Sequence, residues 1–213
     1  MTDIESIKRY LKLYLVTDRR LSGGRSLEWI VGEAVKGGVT MVQLREKECC
    51  TRDFVMLAKE LKSSLSPLGI PLIINDRVDV AMAADADGVH IGQSDMPYDI
   101  ARRMLGYGKI IGLSVENMEQ VALANEIDVD YIGISPVYST GTKTDTATPF
   151  GLEGLEKAVK LSVHPTVGIG GMNESTAAGV MSMACDGIAV VSAIAAAPSP
   201  REAAKRLYDI VMK

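Results

Sequence analysis

Eight times along this chain a short, mainly apolar run gives way to a helical pattern. The runs are Leu13–Val16, Thr40–Leu44, Leu72–Ile74, Gly88–Ile91, Lys109–Leu113, Tyr131–Ile134, Thr166–Gly168 and Gly187–Val191. They are predominantly apolar rather than alternating, as strands of a parallel sheet covered on both faces should be. Between them, Leu27, Ile30, Val31, Ala34 and Val35 form an i, i+3, i+4, i+7, i+8 stripe behind Ser26 as N-cap. Phe54, Leu57, Ala58, Leu61 and Leu65 form a second stripe after Thr51. Further helices are expected at Val78–Ala84, from Pro97 in a first turn to Gly106, and behind Asn117 and Gln120 as a capping box. The last three are expected at Gly151–Leu161, at Asn173–Ala184 and from near Pro200. Eight strand–helix units in 213 residues predict an α/β fold of one domain, 1–213, a lean (β/α)8 TIM barrel. The alternative, an open doubly wound sheet, would need some longer crossover.

Net charge is −4 and no basic run stands out, which argues against nucleic acid and anionic membranes as partners. The opening MTDIESIKRY has no apolar signal core, and the longest apolar stretch, Gly187–Ala197, is too short to span a bilayer. The cytoplasm is therefore the expected location. Cys49, Cys50 and Cys185 show no metal-ligand spacing and read as reduced thiols.

Barrel enzymes work at the C-terminal ends of their strands. Those ends carry Asp18 and Arg19; Gln43, Arg45 and Lys47; Asn75 and Asp76; His90, Gln93 and Asp95; and Ser114. Two successive strands deliver a carboxylate to the same edge, Asp76 and Asp95, with no Cys in the group. Such a pair suits a hard cation such as Mg²⁺, while the plainer reading makes each Asp a helix cap. His90 reads equally well as a hydrogen-bonded interior residue and as a catalyst. The loop Pro136–Phe150 reaches the limit of about 12–15 residues beyond which structureless loops are uncommon, and Ser139–Lys143 offers hydroxyls, a glycine and a cation suited to phosphate. Gly168–Gly171 and then Val191-Ser192 occupy the strand-seven and strand-eight positions where such barrels bind phosphate. The inventory implies two phosphorylated substrates, one of them a diphosphate, and a reaction needing more charge neutralisation than acid–base help.

From end to end the chain resembles the thiamine phosphate synthase family. The matching motifs are LYLVTDR at Leu13–Arg19, VQLREK at Val42–Lys47, IINDRVDVA at Ile73–Ala81 and ADGVHIGQSD at Ala86–Asp95. GLSV at Gly112–Val115, YIGISPVYSTGTK at Tyr131–Lys143, GLEGL at Gly151–Leu155, GIGG and VVSAI complete the set. The resemblance implies a barrel that joins a hydroxymethylpyrimidine diphosphate to a thiazole phosphate with Mg²⁺, releasing diphosphate. It implies that Gln43, Leu44, Arg45, Glu46, Lys47, Asn75, Ser114 and Lys143 hold the pyrimidine diphosphate, with Arg45, Lys143 and Ser114 taking part in catalysis. It makes Asp76 and Asp95 the metal ligands, and Thr140, Gly141, Thr142, Gly171, Val191 and Ser192 the thiazole phosphate site. Thr144–Phe150 receives no role, and self-association is compatible with the sequence. Two rivals are a thiazole tautomerase-type isomerase on the same barrel and a barrel that binds thiamine precursors without turnover. The isomerase is expected to need a histidine near the fifth strand end, where this chain has Ser114-Val115-Glu116.

Overall fold

The computed structural model describes residues 3–139 and 148–213. Its strands are β1 (Leu13–Val16), β2 (Met41–Leu44), β3 (Leu72–Asn75), β4 (Gly88–Ile91), β5 (Ile110–Val115), β6 (Tyr131–Ile134), β7 (Thr166–Ile169) and β8 (Gly187–Val190). Each pairs in parallel with the next, and β1 closes on β8 with Leu13 beside Ile188. That last pairing makes a closed barrel and rules out the open sheet. The helices are α1 (Ile4–Leu11), α2 (Leu27–Lys36), α3 (Thr51–Leu65), α4 (Val78–Ala83), α5 (Tyr98–Leu105), α6 (Met118–Ala124), α7 (Gly151–Leu161), α8 (Ala177–Ser182), α9 (Ser192–Ala195) and α10 (Pro200–Val211).

The two-residue period of the strands divides the apolar residues into two cores. Leu15, Val42, Leu44, Ile74 and Val89 face outward and pack beneath the helix stripes of Ile30, Phe54 and Leu61. Tyr14, Met41, Ile73, Ile110, Tyr131, Val167 and Ala189 face inward and fill the barrel. Helix α1 closes the N-terminal mouth by adding Ile7 and Leu11 to that inner core. Its end lies so close to β8 that a Cβ at Gly187 would sit 1.9 Å from the Leu11 carbonyl oxygen.

A side-chain clamp recurs at that same mouth. The residue before each even-numbered strand accepts a hydrogen bond from a backbone N–H at the start of the preceding odd-numbered strand. Leu13 N donates to Thr40 Oγ1, and Leu72 N to Asp87 Oδ2. Ile111 N donates to Asp130 Oδ2, and Thr166 N to Asp186 Oδ2. Each bond satisfies a backbone donor near the end of the ladder, where sheet pairing is incomplete.

Several elements depart from the sequence expectation. Helix α1 is additional, and Asp3 caps it by accepting from Ser6 N. The helix expected at Asn173–Ala184 shrinks to α8, because Asn173, Ser175 and Thr176 hydrogen-bond locally with one another and with Gly171 O. Strand β5 runs on through Ser114 to Val115. Pro97 is the N-cap of α5 rather than part of its first turn. Asn117 caps α6 as expected, but Gln120 reaches back to Glu116 N, one residue beyond a capping box. A short helix, α9, follows β8 directly.

Candidate active site

At the C-terminal edge of β2 the side chains part by parity. Gln43 points into the barrel, only 4% exposed, and its Nε2 donates to the Tyr14 hydroxyl at 2.7 Å. Leu44 points the other way into the outer core, so a ligand could meet only its backbone. Arg45 is held at two points: its N–H donates to Thr17 Oγ1 at 3.0 Å, and its guanidinium donates to Asp18 Oδ2 at 3.0 Å. Glu46 is nearly buried and pairs with Arg19 at 2.9 Å, which braces the loops after β1 and β2. Lys47 reaches Asp76 at 2.6 Å.

Asp76 is the most constrained residue at this edge. Its φ is +61°, Arg77 N donates across it to Asn75 O at 2.7 Å, and its own N–H bonds to His90 O at 2.9 Å. Neither Asp76 nor Asp95 acts as a helix cap: α4 is entered through Arg77 and α5 through Pro97, each without a side-chain cap bond. Asp95 Oδ2 instead accepts from Gly92 N at 2.7 Å. Burial pushes the Asp95 carboxyl above its usual range, and the neighbouring Asp76 carboxylate pushes in the same direction. Two adjacent carboxylates, one of them reluctant to ionise, fit a hard cation, which would relieve their repulsion. Among the described residues no cluster of three or more His, Cys, Asp or Glu could hold a metal. The described residues would thus supply two carboxylates, a small complement of the kind Mg²⁺ takes when substrate phosphates and water fill its remaining positions.

Below this edge a chain of hydrogen bonds crosses the barrel interior. Gln43 meets Tyr14, Tyr14 meets the Tyr131 hydroxyl at 2.9 Å, and Tyr131 meets His90 Nδ1 at 2.9 Å. His90 Nε2 then meets Ser114 Oγ at 2.8 Å, and Gln93 Nε2 donates to Ser114 O at 2.6 Å. Burial raises both tyrosine hydroxyls well above their ordinary pKa. Burial also lowers His90 to about 4, against the opposing pull of Asp76, so its ring is neutral at neutral pH. Both ring nitrogens are engaged, which is the interior histidine of the two sequence readings. The network depends on Gly112, where a Cβ would lie 2.1 Å from Tyr131 Cζ.

On the opposite side, the loops after β6 and β7 pack together. Val137 N donates to Ile169 O and Tyr138 N to Gly170 O. Gly170 and Gly171 have φ of +100° and +69°, and a Cβ on Gly171 would come within 2.7 Å of Tyr138 Cβ. Val191 is the N-cap of α9 and Ser192 its first residue. Arg25, arriving from the loop after β1, donates to Ala195 O and Ala197 O and fixes the far end of α9. Thr140, Gly141, Thr142 and Lys143 lie outside the described residues.

The sequence reading did not single out Tyr14, Tyr131 or Thr17. The available signal was a tyrosine within an apolar strand run, whose hydroxyl needs a partner once buried.

The thiamine monophosphate synthase family model matches residues 13–194. A thiamine-phosphate synthase of Albidiferax ferrireducens is 53% identical over 201 residues, covering 94% of this chain and 92% of that protein. A second, from Clostridium novyi, is 46% identical over 199 residues, covering 93% and 98%. The solved thiamine phosphate pyrophosphorylase of Pyrococcus furiosus superposes with a TM-score of 0.89 at 39% identity, covering 97% of this chain and 98% of that one. A 3-hexulose-6-phosphate synthase structure, with a TM-score of 0.72 at 16% identity, shares the barrel fold alone. With the motif-bearing strand ends in place and relatives matched over nearly their whole length, this chain belongs to the thiamine monophosphate synthase family.

Proposed function

We propose that this enzyme condenses 4-amino-5-hydroxymethyl-2-methylpyrimidine diphosphate with 4-methyl-5-(2-phosphoethyl)thiazole, or with its carboxylated form and loss of carbon dioxide, giving thiamine phosphate and diphosphate. The observation that carries the reading is the pairing of Asp76 with Asp95 beside Lys47, at the strand edge that also carries Arg45. Asp76 and Asp95 would hold Mg²⁺, which when bound neutralises diphosphate charge. Arg45, steadied by Asp18, and Lys47 supply positive charge for the departing group, and the family motif adds Lys143. Gln43, Asn75 and Ser114 bind the pyrimidine diphosphate. The thiazole phosphate is assigned to Thr140–Thr142, Gly171, Val191 and Ser192.

The C–O bond to diphosphate breaks first, and its electron pair leaves with the diphosphate. The 4-amino group of the pyrimidine donates electron density toward the resulting exocyclic cation. The thiazole nitrogen then attacks that carbon with its lone pair. It carries no proton, so no general base is required, in keeping with a His90 whose two ring nitrogens are already engaged. The tautomerase alternative finds no histidine at Ser114-Val115-Glu116.

The test is to incubate the protein with both substrates, with and without Mg²⁺, and to measure thiamine phosphate and diphosphate. Equimolar formation of both that depends on Mg²⁺ is expected. Binding of both substrates without product would favour the non-catalytic barrel.

A further inference from the structure

We propose that Tyr14, Tyr131 and His90 are positioning residues whose hydrogen bonds run in one direction from Gln43 and commit the Ser114 hydroxyl to donate into the site, toward an anionic oxygen of the diphosphate substrate. The argument is one of donors and acceptors. Gln43 Nε2 can only donate, so the Tyr14 oxygen accepts and its proton must point elsewhere. The neighbouring acceptor is Tyr131, 2.9 Å away. Having accepted, Tyr131 turns its own proton to His90 Nδ1. A neutral imidazole that accepts at Nδ1 carries its proton at Nε2, and that N–H donates to Ser114 Oγ. Among the described residues the Ser114 hydroxyl has no other hydrogen-bond partner, so its proton is left for the ligand. With the opposite direction Ser114 would turn a lone pair toward an anion, and Gln43 would need its carbonyl oxygen against Tyr14. The five side chains come from β2, β1, β6, β4 and β5, so the direction is set across the full width of the barrel.

The proposal rests on the diphosphate reading of the site, but its first test does not. The protein has two histidines, His90 and His164. In ¹⁵N-histidine-labelled full-length protein, with His164 assigned through His164→Gln, long-range proton–nitrogen correlation should find His90 protonated at Nε2 alone. Finding Nδ1 protonated instead would overturn the proposal whatever the enzyme's substrates. The second test uses Tyr131→Phe, which keeps the ring and removes the hydroxyl. His90 should then populate both tautomers. The KM for the pyrimidine diphosphate should rise about three- to tenfold, the worth of one ordinary hydrogen bond, while the KM for the thiazole phosphate changes less than twofold. A single unchanged tautomer, or equal shifts in both KM values, would show that Tyr131 only fills space. Tyr14→Phe should give the same two signatures from the other end of the chain. If wild-type protein showed the Nε2–H tautomer but no turnover, the reaction assignment would fail while the direction of the chain stood.

Discussion

Asp76 occupies a left-handed backbone conformation that costs about 1–3 kcal/mol, and the surrounding loop holds it there. The chain tolerates this because the conformation turns the carboxylate toward Lys47 and Asp95. Asp76→Asn keeps both shape and backbone preference, so it tests charge alone. It and Asp95→Asn should leave thermal melting nearly unchanged and raise the Mg²⁺ concentration needed for half-maximal activity by more than the 10–100-fold typical of a supporting residue. Normal activity of both at low Mg²⁺ would remove the metal role. His90 gives a separate readout. Its ring is held at about 4, below its ordinary 6.5, chiefly by burial, so between those values the unfolded chain binds the proton more readily. Its stabilising contribution is complete above about pH 6.5 and is lost as pH falls toward 4. Urea midpoints followed over that range should fall more steeply for wild type than for His90→Gln. Gly112→Ala would drive a methyl group into the Tyr131 ring; about 1–3 kcal/mol of stability should be lost in urea titrations.

Among the elements, the loops after β6 and β7 form one unit through Val137, Tyr138 and Gly170. Gly171→Val therefore meets Tyr138 before it meets any phosphate, and it should depress use of both substrates rather than the thiazole phosphate alone. Steady-state kinetics with each substrate varied in turn would show this. Lys143→Ala should lower kcat about 10²–10³-fold and change KM less, as expected of a group whose contribution grows with charge on the leaving diphosphate. Strands and long helices were legible from sequence because their apolar period is strong and their caps, such as Ser26 and Asn117, are ordinary ones. Helix α1 escaped because a polar opening interrupted by Ile4, Ile7, Tyr10 and Leu11 reads as a lead segment until a barrel mouth exists to receive it. The shortening of α8 followed from side chains that compete with helix hydrogen bonding, which periodicity does not register. At the site, charged strand ends were legible, whereas Tyr14 and Tyr131 meet only because the barrel closes, 117 residues apart. The cause lies in topology rather than in any local pattern.

Across the whole molecule, the clamps at the N-terminal mouth differ in how much each carries. Asp87 and Asp130 both hold a backbone N–H and both pair with a cation, but Lys62 beside Asp87 keeps 22% of its side chain exposed whereas Arg102 beside Asp130 keeps 7%. Asp87→Ala should cost about 1–3 kcal/mol for the unsatisfied group. Asp130→Ala should cost about 3–5 kcal/mol, since it leaves the buried Arg102 guanidinium with carbonyl acceptors but no counter-charge. Urea denaturation of the two variants should give that order. The clamps also say where the chain can be given new ends. Each binds an odd strand to the even strand after it, so the barrel is written as four consecutive paragraphs of two strands. Joining residue 213 to residue 1 and reopening the chain at exposed Gly69, between the first and second paragraphs, leaves every clamp within a short stretch of sequence. Reopening at Glu126 splits the third, and the Ile111–Asp130 bond, normally 19 residues apart, must then form between opposite ends of the polypeptide. Loop closure of that length is slow, so the first rearranged protein should refold at nearly the parent rate and the second markedly more slowly, although both reach the same barrel.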